Sequence, residues 1–206
     1  MPRRNADKII LDLCGGTGAW SRPYQAAGYD VHVITLPAYD VTRWTEYPEF
    51  VHLVRSGQVH GILAAPPCTQ FSRARTTAKT PRDYRGAMTV VEACMRIIWE
   101  ARYAGGVEWW ALENPVGHLR RFLGRPSFTF QPWHFGDRYS KQTDIWGYFE
   151  RPAKKRGARP LSKFEEYLSR RNIRSLPTVE GMKLTRADRR AITPPGFAKA
   201  FFKANP

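Results

Sequence analysis

Residues 8–18 read KIILDLCGGTG, and the parsing of this stretch decides the fold. A short apolar run that stops on a glycine-rich turn is a buried strand feeding a loop. Working outward, SRPYQAAGYD at 21–30 reads as a short helix that Ser21 caps and Gly28 ends. VHVIT at 31–35 is a second strand and YDVT at 39–42 the stub of a third. EYPEFVHLVRSG at 46–57 suggests a helix ending at Gly57, and HGILAA at 60–65 the next buried strand. Met88, Val91, Met95 and Ile98 recur at helical spacing across roughly 83–103, with Gly105-Gly106 as the stop. VEWWALENP at 107–115 is another strand. FTFQPWHFG at 128–136 and TDIWGYF at 143–149 are two late strands or an edge hairpin, and PPGFAKAFFKANP at 194–206 is a closing helix. Strands alternating with helices predict an α/β fold, a mainly parallel sheet with helices on both faces. Ligands of such sheets sit at the carboxyl ends of the strands. CGGTG, PPCTQFS and ENP each directly follow a strand.

The totals bound the rest. A chain of 206 residues with 42% hydrophobic content is long enough for one domain with a real core. The 33 Lys+Arg against 18 Asp+Glu give a formal +15, which points to a polyanion, most simply nucleic acid. Residues 148–181 concentrate this charge, with nine Lys/Arg against four Glu, and read as a basic insertion holding one short helix. The three cysteines, Cys14, Cys68 and Cys94, contain no CxxC, which argues against a disulfide framework and a zinc site and for a reducing compartment. The five histidines show no metal-ligand spacing, so no metal is expected. The N-terminus has no secretory h-region and no stretch reaches spanning length, so no membrane role is expected.

Three constellations carry chemistry. In DLCGGTG, glycines let the backbone pass close to a ligand, while Cys14 reads as a small packing hydrophobe. In PPCTQFS, Pro66 and Pro67 fix the exit direction of Cys68, with Arg73 and Arg75 as the positive setting that a reactive thiol needs. In ALENP, Glu113 is a carboxyl at a strand end, where burial requires pairing or protonation. Each has a plainer reading: an ordinary tight turn, a buried cysteine, and a carboxylate paired with a nearby arginine. Trp20, just past the glycine turn, is a candidate to stack on a ligand, with core packing the alternative.

DLCGGTGAWS, PPCTQFS and ENP stand in the order and strand context of the cytosine-5 DNA methyltransferases, and the chain resembles the short bacteriophage versions of that family. KLTRADRRAITPPGFAKAFF at 183–202 is similar to the family's closing motifs. The resemblance covers most of the chain apart from the basic insertion. It implies a Rossmann-like methyltransferase fold, S-adenosyl-L-methionine as cofactor, double-stranded DNA as partner, a monomer, and the cytoplasm of a bacterial host. Carried over residue by residue, Cys68 attacks cytosine C6, Glu113 is the general acid at the N3 edge, and Asn114 supports the loop. Asp12, Cys14, Gly15, Gly16, Gly18, Trp20 and Pro66 then fall to the cofactor. Pro67, Gln70, Ser72, Arg73 and Arg75 fall to the substrate, within a basic loop at 73–85 that closes over the extruded base. Lys141 or Arg138 takes the place of an arginine that holds the cytosine.

The chain departs from the family at three places. Thr35 and Leu36 stand where an acidic residue binds the cofactor ribose, with Asp40 the nearest acid and candidate substitute. About two dozen residues separate VHVIT from HGILAA, too few for one of the usual helices. The 34 residues at 148–181 are too few for a full target-recognition domain, so sequence specificity is expected to be short or absent. Competing readings are methylation of RNA cytosine, a non-catalytic DNA-binding remnant, an enzyme acting on free dCMP, and an amino-group methyltransferase. The last needs Asp or Asn before the prolines and an aromatic after them, whereas this chain has Ala65 and Cys68.

Overall fold

A computed structural model describes residues 4–75, 78–171 and 176–206. Residues 76–77 of the basic loop and 172–175 of the basic insertion thus lie outside the described residues. Six strands form one sheet: β1 Ile9–Leu13, β2 Asp30–Ile34, β3 Val59–Ala64, β4 Trp109–Pro115, β5 Phe128–Phe130 and β6 Thr143–Tyr148. Their order is β2-β1-β3-β4-β6-β5. The first four run parallel; β6 is antiparallel to β4, and β5 antiparallel to β6. Every residue of β1 and β3 is buried, which is why both read as unbroken apolar runs rather than alternating ones.

Helices cover both faces. Ile9, Leu11 and Leu13 of β1 pack with α2 (Pro48–Arg55) and α3 (Tyr84–Ala104), through Phe50, Val54, Val91 and Ile97. Ile10, Leu63 and Ala111 face the other way, onto α1 (Arg22–Ala26) and α7 (Pro195–Ala204), through Tyr24, Phe197 and Phe201. Phe130 stacks on Phe197 at 3.9 Å between ring centroids, which fastens the antiparallel end of the sheet to α7. Among the described residues the remaining helices are α4 (Arg120–Leu123), α5 (Lys163–Arg171) and α6 (Arg186–Ala191). Among the described residues no helix is long and apolar enough to cross a membrane, and no group of side chains is arranged to hold a metal ion.

Two expectations are corrected. YDVT is not a strand. Asp40 accepts hydrogen bonds from the Thr42 amide (2.9 Å) and hydroxyl (2.7 Å), and this short-range turn starts a 3₁₀ helix over Val41–Glu46. The sheet therefore ends at β2, and the span between β2 and β3 holds that turn and α2 alone. Ser21 precedes α1 but does not cap it, because its hydroxyl is turned onto Asp12.

The topology fixes where a ligand is expected. From β1 the chain crosses to β2 on one side and then returns to β3 on the other. The crevice beyond the carboxyl ends of β1 and β3 is thus the switch point of the sheet. Because β6 runs backwards, Thr143 at its start pairs with Pro115 at the end of β4, which brings Lys141 to the same rim.

Candidate active site

The turn after β1 is built around a buried acid. Asp12 is fully buried on the face shared with α1; its Oδ2 accepts from the Ser21 hydroxyl at 2.6 Å, and its buried Oδ1 has no hydrogen-bond partner. Burial raises its pKa to about 6, against the opposing pull of Ser21. The close approach expected of the glycine turn is to the chain itself. A Cβ on Gly15 would lie 2.4 Å from the Asp12 carboxyl carbon. Cys14 takes φ 56°, a left-handed conformation that costs a residue with a Cβ about 1 kcal/mol. Its sulfur lies 3.9 Å from that of Cys94, and it packs at the edge of the core, as expected of a small hydrophobe.

The second element is the Pro66-Pro67-Cys68 turn. Ala65 N–H still donates to the Leu13 carbonyl at 2.9 Å, so the strand geometry carries to the first proline. Pro66 has its carbonyl held by Asn114 Nδ2 at 2.9 Å, a buried bond from the end of β4. The Cys68 carbonyl accepts from the amides of Phe71 (3.0 Å) and Ser72 (2.8 Å), which curls the chain immediately after the cysteine. Arg82 clamps this curl by donating to the carbonyls of Gln70 (2.5 Å) and Ser72 (3.0 Å).

Glu113 comes from β4 and Lys141 from the start of β6, each side chain 7% exposed, with Lys141 Nζ 3.3 Å from Glu113 Oε1. The distance is that of an ion pair, but the alignment is not that of a hydrogen bond, and Glu113 Oε1 remains without one. The arginine partner expected for Glu113 is thus a lysine.

These residues share one cleft of about 260 Å³ at the switch point, with Asp12, Gly15, Gly16, Pro66, Cys68 and Glu113 among its walls. A second, wider cavity of about 720 Å³ adjoins it, and Cys14, Pro67, Cys68 and Lys141 line both. Cys68 therefore stands at the junction of a narrow acidic recess and a broad opening that Ser72, Arg73 and Arg190 border. Its thiol pKa is raised, first by burial and then by the Glu113 charge, while Lys141 and Arg190 pull the other way.

Several expected residues lie elsewhere. Arg75 donates to Thr80 Oγ1 at 2.8 Å within its own loop, so it does not supply the positive setting of Cys68. Arg138 pairs with Glu165 of α5, leaving Lys141 as the cation at the site. Gln70 accepts from the Asp83 amide at 3.2 Å and braces the loop. Gly18 is not in the cleft wall; it faces Val33. Asp40 is committed to Thr42 and lies outside the cleft. Trp20 touches the cleft but is 2% exposed and packs edge-on against Phe201, so core packing is its main role. The sequence reading missed one wall altogether: Asp188, Ile192 and Thr193, from α6 and the turn before α7, close the cleft. A capping box, Thr185 with Asp188, starts α6; it announces the helix but not its place over the cleft.

No model of a known protein family matches this chain, and a comparison with curated proteins finds no match either.

Proposed function

We propose that this chain is a DNA cytosine-C5 methyltransferase that works through a covalent Cys68 adduct. The observation that carries the reading is the meeting of Cys68, Glu113 and Asp12 in one cleft at the switch point of a mainly parallel sheet. Those residues also carry the resemblance to the cytosine-5 methyltransferases, whose Rossmann-like fold the observed α/β sheet accommodates.

S-adenosyl-L-methionine would supply an electrophilic methyl group on a sulfonium cation. The narrow recess suits such a cation: Asp12 offers a buried carboxyl oxygen without a hydrogen-bond partner, and Glu113 brings a second carboxylate, ion-paired to Lys141. No acid from the end of β2 lines the recess among the described residues, so the ribose would be held without a carboxylate from that strand. Gly15, Gly16 and Pro66 would wall the cofactor.

The base would be extruded into the wider opening. The Glu113 carboxylate takes the Cys68 proton as the sulfur bonds to C6 and passes that proton to N3, so the ring becomes nucleophilic at C5. After C5 takes the methyl group, water in the opening removes the C5 proton, the C6–S bond breaks with its electron pair returning to the Cys68 sulfur, and N3 gives its proton back through Glu113, which restores the aromatic ring and the thiol. Lys141 holds the Glu113 carboxyl at the rim, and Asn114 fixes the Pro66 carbonyl and with it the angle of Cys68. Arg73 at the mouth is placed to meet phosphate.

The test is trapping. A duplex carrying 5-fluorocytosine, incubated with cofactor, yields a covalent complex that survives denaturation, and Cys68→Ser abolishes it. Complete absence of adduct from the wild type with bound cofactor favours a DNA-binding remnant instead. A short recognition site is expected when plasmid methylated in cells is sequenced for 5-methylcytosine; a long strict site contradicts that part of the reading.

A further inference from the structure

Outside the cleft, four cations line a single groove. Its volume is about 510 Å³, and Lys199 and Lys203 of α7 line it together with Arg151, Lys155, Phe135 and Ala200. All four cations are exposed, and none makes an ion pair within 4 Å among the described residues. Lys199 and Lys203 are four apart, so their like charges face each other along the helix, an arrangement that disfavours the helix on its own. Lys155 and Lys199 both act on the Asp137 carboxylate, whose Oδ2 is taken by the Gly196 N–H at 2.9 Å.

Hydrogen bonds tie the lining of the groove to the rest of the fold. Asn205, at the end of α7, exchanges hydrogen bonds with the backbone of Glu150: Glu150 N–H donates at 2.7 Å, and Asn205 Nδ2 donates back at 2.9 Å. Lys155 N–H donates to the His134 carbonyl at 2.8 Å. The segment 151–155 is therefore tied at one end to the end of α7 and at the other to the turn at His134. Gly196, at one end of the groove, stands three residues after Thr193 in the cleft wall.

We propose that this groove is a second nucleic-acid contact, a cradle for phosphates of the duplex that flanks the base held in the cleft. Four unpaired cations around an apolar floor carry no base-edge readers, so the contact is independent of sequence. The choice of DNA as the polyanion rests on the methyltransferase reading; the choice of a phosphate backbone rests on the cations alone.

Fluorescence anisotropy with a mixed-sequence duplex across a salt series tests it. Lys199→Ala with Lys203→Ala removes two charges using a residue that favours helix. The double variant should bind about tenfold more weakly and lower the log–log salt slope by about two. Lys199→Arg with Lys203→Arg should keep both affinity and slope. Arg96→Ala with Arg102→Ala, on the outer face of α3, removes the same net charge and should leave the slope unchanged. An unchanged slope in the α7 double, or an equal loss in both alanine doubles, overturns the cradle. A wild type that binds single-stranded RNA but not the duplex overturns the choice of DNA. These readouts need no chemistry, so a failed 5-fluorocytosine adduct beside an intact slope effect would remove the enzyme reading and leave the groove.

Discussion

Lys141 Nζ stands 3.3 Å from Glu113 Oε1, and the two side chains are equally buried. A lysine and a glutamate that bury each other are held by mutual need: losing one partner strands the other charge away from water, at about 3 kcal/mol or more. Glu113→Gln and Lys141→Met are each expected to destabilise the protein at neutral pH by about that amount. The double variant is expected to recover most of the loss, because neither charge is then stranded. Urea denaturation of the four proteins gives the cycle. Additive losses would mean that the two residues do not act as a pair.

The same two charges act on Cys68 with opposite signs. Burial and then Glu113 raise the thiol pKa, while Lys141 and Arg190 lower it. The free protein therefore keeps Cys68 as thiol at neutral pH, and alkylation by iodoacetamide should be slow and accelerate as pH rises above the usual thiol range. Glu113→Gln should speed alkylation at Cys68, and Lys141→Met should slow it, each by about tenfold or less, the effect of one neighbouring charge. Site-resolved mass spectrometry separates Cys68 from the partly exposed Cys14. Faster reaction in Lys141→Met contradicts the electrostatic assignment.

Asp12 makes the protein's stability depend on pH. Its folded pKa, about 6, exceeds the ordinary 3.8, so the folded state binds this proton more tightly than the unfolded chain. The contribution is fully present below pH 4 and is lost as pH rises through 6, where the ionised group costs about 3 kcal/mol. Asp12→Asn should match the wild type near pH 4 and exceed it near pH 8 by about 1 to 3 kcal/mol. Guanidinium midpoints at the two pH values decide the matter. Isothermal titration with S-adenosylmethionine on the same variant should show weakened binding, since the recess then holds one carboxyl fewer.

The sequence announces what burial alone dictates and hides what long-range contacts dictate. The central strands were legible because β1 and β3, covered on both faces, must be apolar throughout. Helix α3 was legible because Met88, Val91, Met95 and Ile98 recur with the turn; Val91 and Ile98 are buried, and Met88 and Met95 flank them half-buried against the core. Ser21 looked like a cap because serine before a helix usually is one; the buried Asp12 nine residues earlier outbid the helix amides. YDVT is no strand stub because the Asp40 side chain bonds Thr42 locally and turns the chain. At the site, Cys68, Glu113 and Asn114 were legible from strand-end position. Lys141 was not separable from Arg138 by sequence, because only the pairing of Pro115 with Thr143 shows which of them reaches the rim. Asp188, Ile192 and Thr193 were missed because nothing local shows that α6 folds back over the cleft.

Asn114 offers the sharpest separation of positioning from chemistry. Its Nδ2 is the donor to the buried Pro66 carbonyl at 2.9 Å, across 48 residues of chain. Proline has no amide hydrogen to pair in its own strand, so this turn depends on side-chain help. Asn114→Ala leaves that carbonyl unsatisfied, at about 1 to 3 kcal/mol. Asn114→Asp sets a carboxyl oxygen against the carbonyl and is expected to be at least as damaging at neutral pH. Neither variant removes the thiol, so both should still form the 5-fluorocytosine adduct, but more slowly, because Cys68 no longer leaves the turn at a fixed angle. Stopped trapping reactions resolved by denaturing gel give the rate, and urea midpoints give the stability. A full adduct rate in a destabilised Asn114→Ala would confine the residue to holding the fold together.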